Sequence, residues 1–371
     1  MTCHYTHRVF LITMVAICTL FAGMGGQLRA VMINLDYTHD TYFSGNPTGK
    51  AALDAAAVDV SAAITSSLGA ITTDVFTGSN NSNPSNGPTT ATFNWKALYN
   101  NPTNNVSEEI SIPTIAADQI TLFVGVMNLT NETLGMGGPA GAHFQLSGQG
   151  FGDEWVGAIA DAEFQSNTAM QRGAGPMIAS SSGSATLSGA TASWALNIGA
   201  VFGRLSIDVD RDNNGTMDNA ATLDNFWHFD HSTPVTSGKS DLYTVALHEI
   251  LHAVGIGTSA TWHNFVSGTT WTGTEVTALT GSGADLVSSD GGHIANSTMS
   301  VRLSDHTAQE AVMDPDITLG KRKKLTLLDL AFLRDIGYQT VPEPATGTLV
   351  LLAMMILSMG NRRQPRLPWA C

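Results

Sequence analysis

His248 and His252 stand four residues apart in the run Asp241 to Gly257, DLYTVALHEILHAVGIG, and Glu249 lies between them. On an α-helix that spacing brings both imidazoles to one side. There they suit two corners of a tetrahedral zinc site with bonds of ~2.0–2.1 Å. Glu249 lies next to this face, where its carboxylate can reach a water on the metal rather than the metal. Leu247, Ile250, Leu251 and Val254 make one apolar stripe for burial. Ser240 or Asp241 can cap the helix start, and Gly255 can end it in the left-handed conformation. A glutamate buried beside two imidazoles is costly without a cation to balance it. The three cysteines, Cys3, Cys18 and Cys371, lie at the two ends. A metal site in the body must therefore use His, Asp or Glu.

On a helix, H-E-x-x-H is the spacing of zinc proteases, with the glutamate as general base. Two imidazoles do not complete such a site, because a catalytic zinc takes three protein ligands and keeps a fourth position open. Downstream stand His263, His293 and His306. His263 is so close that its loop would have to fold straight back. His306 lies seven residues before Met313, among polar residues. His293 follows Gly291-Gly292, a turn able to present a side chain inward.

Ala311-Val312-Met313-Asp314-Pro315 resembles the Met-turn of the metzincins, a tight turn whose methionine floors the metal site. Leu325-Thr326 and Asp329 to Tyr338 (DLAFLRDIGY) resemble the closing helix of such enzymes. The whole run from Asp241 to Tyr338 is similar to matrixin-like and leishmanolysin-like metallopeptidases. It departs from H-E-x-x-H-x-x-G-x-x-H at Thr258, a poor zinc ligand. In the leishmanolysin type an insertion precedes the third histidine, and Gly255-Ile256-Gly257-Thr258 with Trp262 beyond fits that variant. The resemblance implies a metzincin-like α+β domain: two lobes about a cleft, a mixed sheet, an active-site helix and a Met-turn at Met313. It implies Zn²⁺ on His248, His252 and His293, with His306 as the alternative third ligand. It further implies Glu249 as general base and a protein or peptide substrate.

Lys and Arg number 17 against 31 Asp and Glu, for a net charge of −14 over 371 residues. That balance argues against nucleic acid or an anionic membrane surface as partner. Arg8 followed by the apolar run Val9 to Gly23 reads as a secretory signal with cleavage after Ala30. At the other end, Val341-Pro342-Glu343-Pro344-Ala345 precedes the apolar Gly347 to Met359 and the basic Asn361-Arg362-Arg363. Motif, short apolar stretch and basic end in that order resemble the PEP-CTERM tail of bacterial exported proteins. This implies transient membrane anchoring, handling by membrane sorting machinery, and delivery to the cell surface or extracellular matrix. The chain thus divides into a signal peptide (1–30), a metallopeptidase-like domain (31–340) and a sorting tail (341–371). The ends carry five basic residues and only Glu343 as acid, leaving 12 basic and 30 acidic residues and a charge of −18 in the body.

Periodicity predicts a helix over Lys50 to Leu68 and a buried strand over Gln119 to Met127. Arg204 to Val209 and Asn225 to Phe229 read as strands, and Leu242 to Val254 and Leu325 to Ile336 as helices. Composition predicts loops over Gly78 to Ser107 and Ser180 to Ser193, and a turn over Gly135 to Gly141. Asp210 to Asp218, DRDNNGTMD, matches the first nine positions of an oxygen-ligand calcium loop, through Asp210, Asp212, Asn214 and Asp218. Position twelve is Ala221 instead of a bidentate glutamate. His228 and His231 would point to opposite faces of a strand and read as structural or exposed. Two further functions fit the same features. One is a surface or matrix structural protein that keeps zinc without useful turnover, and the other is a calcium-dependent adhesion module around Asp210 to Asp218.

Overall fold

A computed structural model describes residues 31–342, apart from 112, 113 and 131. The expected signal peptide (1–30) and all but the first two residues of the expected sorting tail (341–371) lie outside the described residues. In chain order the strands are β1 (Met32–Asp36), β2 (Val75–Asn80), β3 (Thr89–Asn100), β4 (Ser107–Ile110), β5 (Gln119–Met127), β6 (Gly135–Pro139), β7 (Gly141–Gln149), β8 (Ala179–Leu187), β9 (Ala190–Ile198) and β10 (Phe202–Asp208), with only two- and three-residue strands after them among the described residues. The helices are α1 (Pro47–Ala63), α2 (Gly152–Met170), α3 (Ala220–Phe226), α4 (Leu242–Ala253), α5 (Ala260–Phe265), α6 (Thr274–Thr280) and α7 (Leu327–Asp335). Among the described residues no helix is long and apolar enough to cross a membrane.

The fold is α+β, built on a mixed sheet in the order β1-β5-β10-β6. The first three strands run parallel and β6 closes one edge antiparallel. Ile120 to Val126 is an almost unbroken apolar run, as a strand covered on both faces requires. Helix α1 starts at Asn46, whose side chain accepts from the Gly49 N–H, with proline at the first helical position. Its Ala52, Leu53, Ala56 and Val60 are buried, and the helix packs against β1 and α4. It ends five residues earlier than the periodicity predicts, because Ile64 turns extended and bridges Thr340.

Three polar stretches are strands rather than loops. Gly78 to Ser107 holds the end of β2 and all of β3, whose Ala91, Phe93, Trp95 and Ala97 are buried in alternation with polar neighbours. A serine-, threonine- and asparagine-rich composition masks this period of two. With β2, β4 and β7, β3 forms an antiparallel sheet, and its apolar face meets Trp155, Ile159 and Ala162 of α2. Ser180 to Ser193 lies within the hairpin β8–β9, which turns on Ser188 and Gly189, both at positive φ. The glycine-rich Gly135 to Gly141 is the edge strand β6 and the start of β7. Asn225–Phe226 closes α3, leaving only Trp227–His228 as strand.

Arg172, itself at positive φ, is buried. Its guanidinium donates to the carbonyls of Gly69, Ala116, Gln119 and Ala200, and so joins three separate segments. Burial lowers its pKa to about 10, which leaves it cationic at neutral pH. Replacing it with methionine strands four carbonyls. Arg172→Met is expected to cost about 3 kcal/mol, read as a lower midpoint in urea unfolding.

Candidate metal centre

All twelve residues of α4 are buried, including His248, Glu249 and His252. The Asp241 side chain caps the helix by accepting from the Thr244 N–H and hydroxyl. Arg322 pairs with the same carboxylate at 2.7 Å. Past the helix, Gly255 and Gly257 both take positive φ. At Gly257 a Cβ would lie 1.9 Å from the Gly292 carbonyl oxygen. Glycine there lets the turn at 290–293 press against the helix end. Trp262 holds that turn by donating from Nε1 to the Gly291 carbonyl at 2.8 Å.

The turn is organised by Asp290. Its Oδ1 accepts from the N–H groups of Gly292 and His293, and its Oδ2 meets His293 Nδ1 at 2.6 Å. Burial pushes the Asp290 pKa up, yet these donors outweigh it and hold the carboxyl below its ordinary range. His293 thereby reaches the α4 face: one nitrogen from each of His248, His252 and His293 lies within 4.8 Å of the others. The remaining candidates stay away. His306 is exposed, at positive φ in the turn after residue 301, and His263 is exposed on α5. His228 is buried at the end of its two-residue strand, bonded to the Asp230 carbonyl and to Thr236.

The chemistry of this donor set fits a cation. His248 Nδ1 lies 2.9 Å from the Val312 carbonyl, and His252 Nδ1 lies 2.8 Å from the Ile256 carbonyl. A carbonyl only accepts, so both Nδ1 atoms carry the proton, and the Asp290 carboxylate imposes the same on His293. His248 and His252, as neutral rings, are each left with a bare Nε2 lone pair. His252 Nε2 and His293 Nε2 face each other at 3.1 Å with no donor of their own in that tautomer. Two ligands of a tetrahedral ion with ~2.1 Å bonds stand about 3.4 Å apart, close to this value. Burial, then the neighbouring imidazoles, lowers the His248 pKa far below its ordinary value and that of His252 to about 4. Both rings are neutral and able to ligate.

Glu249 stands beside the three rings without joining them. Burial raises its pKa to about 7, against the Gly137 N–H and the Arg204 charge, which lower it. The Gly137 N–H donates to Glu249 Oε2 at 2.6 Å. A Cβ at Gly137 would lie 2.0 Å from the Glu249 carbonyl oxygen, so strand β6 rests directly on the helix backbone. The cleft above has a volume of about 1110 Å³ and is lined by β6, α4, the 290–293 turn and residues 315–319.

Met313 is fully buried in the turn that presents the Val312 carbonyl to His248. Asp329 fixes this turn by accepting from the N–H groups of Val312 and Met313 while it caps α7. In the second cluster, carboxylate oxygens of Asp210, Asp212 and Asp218 lie within 4.8 Å of one another. Asp210 already accepts from the N–H groups of Asn214 and Gly215, and the Asn214 oxygen is taken up by Thr216. Ala221 lies in α3 and offers no side-chain oxygen.

Asp290, Asp329, Gly137 and the Val312 carbonyl were not legible as site components. The spacing Asp290-Gly291-Gly292-His293 is the one local signal, since an aspartate before two glycines favours a side-chain-closed turn. The chain matches no known family model, no curated protein and no solved structure.

His293→Ala is expected to abolish tight zinc binding, whereas His306→Ala leaves the stoichiometry at one. Asp290→Asn is expected to weaken zinc affinity by about 10- to 100-fold. Metal content after gel filtration and competition with a chromophoric chelator measure both.

Proposed function

We propose that this chain is an exported zinc-dependent endopeptidase of metzincin-like, two-lobed architecture that hydrolyses peptide bonds. The observation that carries the proposal is the convergence of three imidazoles, one nitrogen of each within 4.8 Å of the others, beside a buried glutamate in an open cleft. His248, His252 and His293 would hold Zn²⁺, which supplies Lewis-acid polarisation of the scissile carbonyl and of the attacking water. Glu249 acts as general base. Its carboxyl, raised to about 7 by burial, is matched to taking a proton near neutral pH and returning it to the leaving amine.

The edge strand gives the cleft a means of binding an extended peptide. Strand β6 pairs with β10 on one side only, so its other edge can add a strand. The Gly137 N–H is not spent on β10 but on Glu249. A peptide laid along β6 would compete for that donor and orient its carbonyls along the cleft. Met313 serves as packing under the site. Export and surface delivery rest on the two end segments.

The alternative is a zinc-bearing surface or matrix protein without useful turnover. One observation favours it: the Gly137 N–H holds one oxygen of the proposed base at 2.6 Å. Calcium at Asp210 to Asp218 would belong to either reading as a structural ion.

The decisive measurement is cleavage of unfolded casein by residues 31–340. The zinc-loaded protein should cleave it and lose the activity to a chelator. Glu249→Gln should lower kcat/KM by about 10²- to 10⁴-fold with zinc retained. Full zinc occupancy with no cleavage of any unfolded protein would establish the structural alternative instead.

A further inference from the structure

His293 is held differently from the other two histidines of the cluster. His248 and His252 are buried on α4, whereas the His293 side chain is 25% exposed on a turn and its partner Asp290 is 49% exposed. The turn is tied at both ends, by the Val287 N–H to the Thr269 carbonyl and by the Ile294 N–H to the Met313 carbonyl. Between these ties stands Gly291-Gly292, and a pair of glycines restrains the backbone least. The Asp290 bonds to Gly292 and His293 are all made within the turn. They fix the ring relative to the turn, and they do nothing to fix the turn relative to α4.

One bond from outside does. Among the described residues the backbone of 288–293 takes a single hydrogen bond from elsewhere in the chain, from Trp262 Nε1 to the Gly291 carbonyl at 2.8 Å. Gly291 sits between Asp290 and the two N–H groups that its carboxylate accepts, so a tie there holds the whole apex. The donor is itself immobilised. Trp262 is fully buried, and its backbone N–H donates at 3.0 Å to Ser259, the cap of α5. Its ring centroid lies 4.4 Å from that of Trp271 and 5.2 Å from that of Phe332. Trp271 meets Phe332 at 4.8 Å and donates from Nε1 to Asp335 at 2.8 Å.

Phe332 and Asp335 belong to α7, and α7 already carries another support of the cluster. Asp329 in its first turn fixes Val312 and Met313, and the Val312 carbonyl faces His248 Nδ1. One helix thus sets the partner of a histidine on α4 and, a turn further along, the aromatic stack behind the histidine on the distant loop. A third ligand brought in from a surface turn is only as well placed as the groups that hold that turn.

Resting on the reading of His248, His252 and His293 as zinc ligands, we propose that Trp262 is the positioning residue of the third ligand. Its indole N–H, aimed by the aromatic stack on α7, sets the approach of His293 to His252. An indole has one donor and no acceptor, so a phenylalanine at 262 removes this bond and keeps an aromatic ring in the stack.

The test is a double-mutant cycle on zinc affinity in the full chain, read by competition with a chromophoric chelator. Trp262→Phe should weaken zinc binding by about 10- to 100-fold. In a His293→Ala background the same substitution should change the remaining weak affinity by less than about twofold, because Trp262 acts only through that ring. Cobalt(II) in place of zinc gives a second readout: its visible absorption in Trp262→Phe should move toward that of His293→Ala. Unfolding curves of the metal-free variants report whether they fold. Should the smaller ring prevent folding, benzothienylalanine at 262 keeps both rings, replaces the N–H by sulfur and carries the same expectation. An unchanged affinity, or an equal loss in both backgrounds, overturns the proposal. Wild type that takes up no zinc, or a His293→Ala variant that keeps the full affinity, defeats the ligand reading itself, a result distinct from either of those.

Discussion

Three imidazoles, each committed through Nδ1 to an oxygen, turn their remaining nitrogens on one another, two of the rings buried and His293 partly so. That arrangement is repulsive without a cation, and much of the structure around it serves to enforce it. The acceptors are two backbone carbonyls and one carboxylate, at Ile256, Val312 and Asp290. Each sits on a different segment: the exit of α4, the turn under the helix, and the loop far downstream. Moving any of these segments would release a ring to rotate. The geometry of the centre is therefore held by the non-helical chain as much as by α4. Burial acts in the same sense, since it removes the protonated state that could satisfy the rings in place of a metal.

Close approach of backbones is the second requirement, and two glycines meet it. Gly137 allows the edge strand to lie on the helix at Glu249, and Gly257 allows the 290–293 turn to lie against the helix end. A methyl group at either place would collide with a carbonyl oxygen at about 2 Å. Glu249 and His293 are thus placed by the absence of side chains at Gly137 and Gly257. A consequence follows for the cleft: β6 is both the wall that binds Glu249 and the strand with a free edge.

How far the sequence alone reaches depends on the kind of constraint. The helix carrying His248, Glu249 and His252 was legible because its apolar stripe, cap and ligand spacing are local and agree with one another. His293 was legible less directly, through Gly291-Gly292 and a family resemblance, and the fold does bring it to the helix. Strand β5 was plain from an apolar run, whereas β3 was hidden because its alternating Ala91, Phe93, Trp95 and Ala97 sit among polar residues. The error at Gly135 to Gly141 has another origin. Glycines there mark contact with an element more than a hundred residues away, and nothing local separates that use from a turn. The carbonyl partners of His248 and His252 were illegible for the same reason, since a carbonyl has no residue type.

The sparse charge of the chain acquires a structural meaning here. Only 13% of the residues are charged, yet several of them are buried where the backbone lacks a ladder partner. Arg322 gathers the carbonyls of Asp230, His231 and Thr233 while pairing with the cap of α4. Lys323 donates to the Asp316 carbonyl and pairs with Glu310, and Asp329 takes the N–H groups of Val312 and Met313. Irregular segments must satisfy their own polar groups when they are packed inside, and a charged side chain does so for several groups at once. The loops that shape the histidine cluster are tied in this way to the helix they face. Such a scheme concentrates stability in a few multiply bonded side chains, so their loss should be felt at the site before it is felt in the sheet.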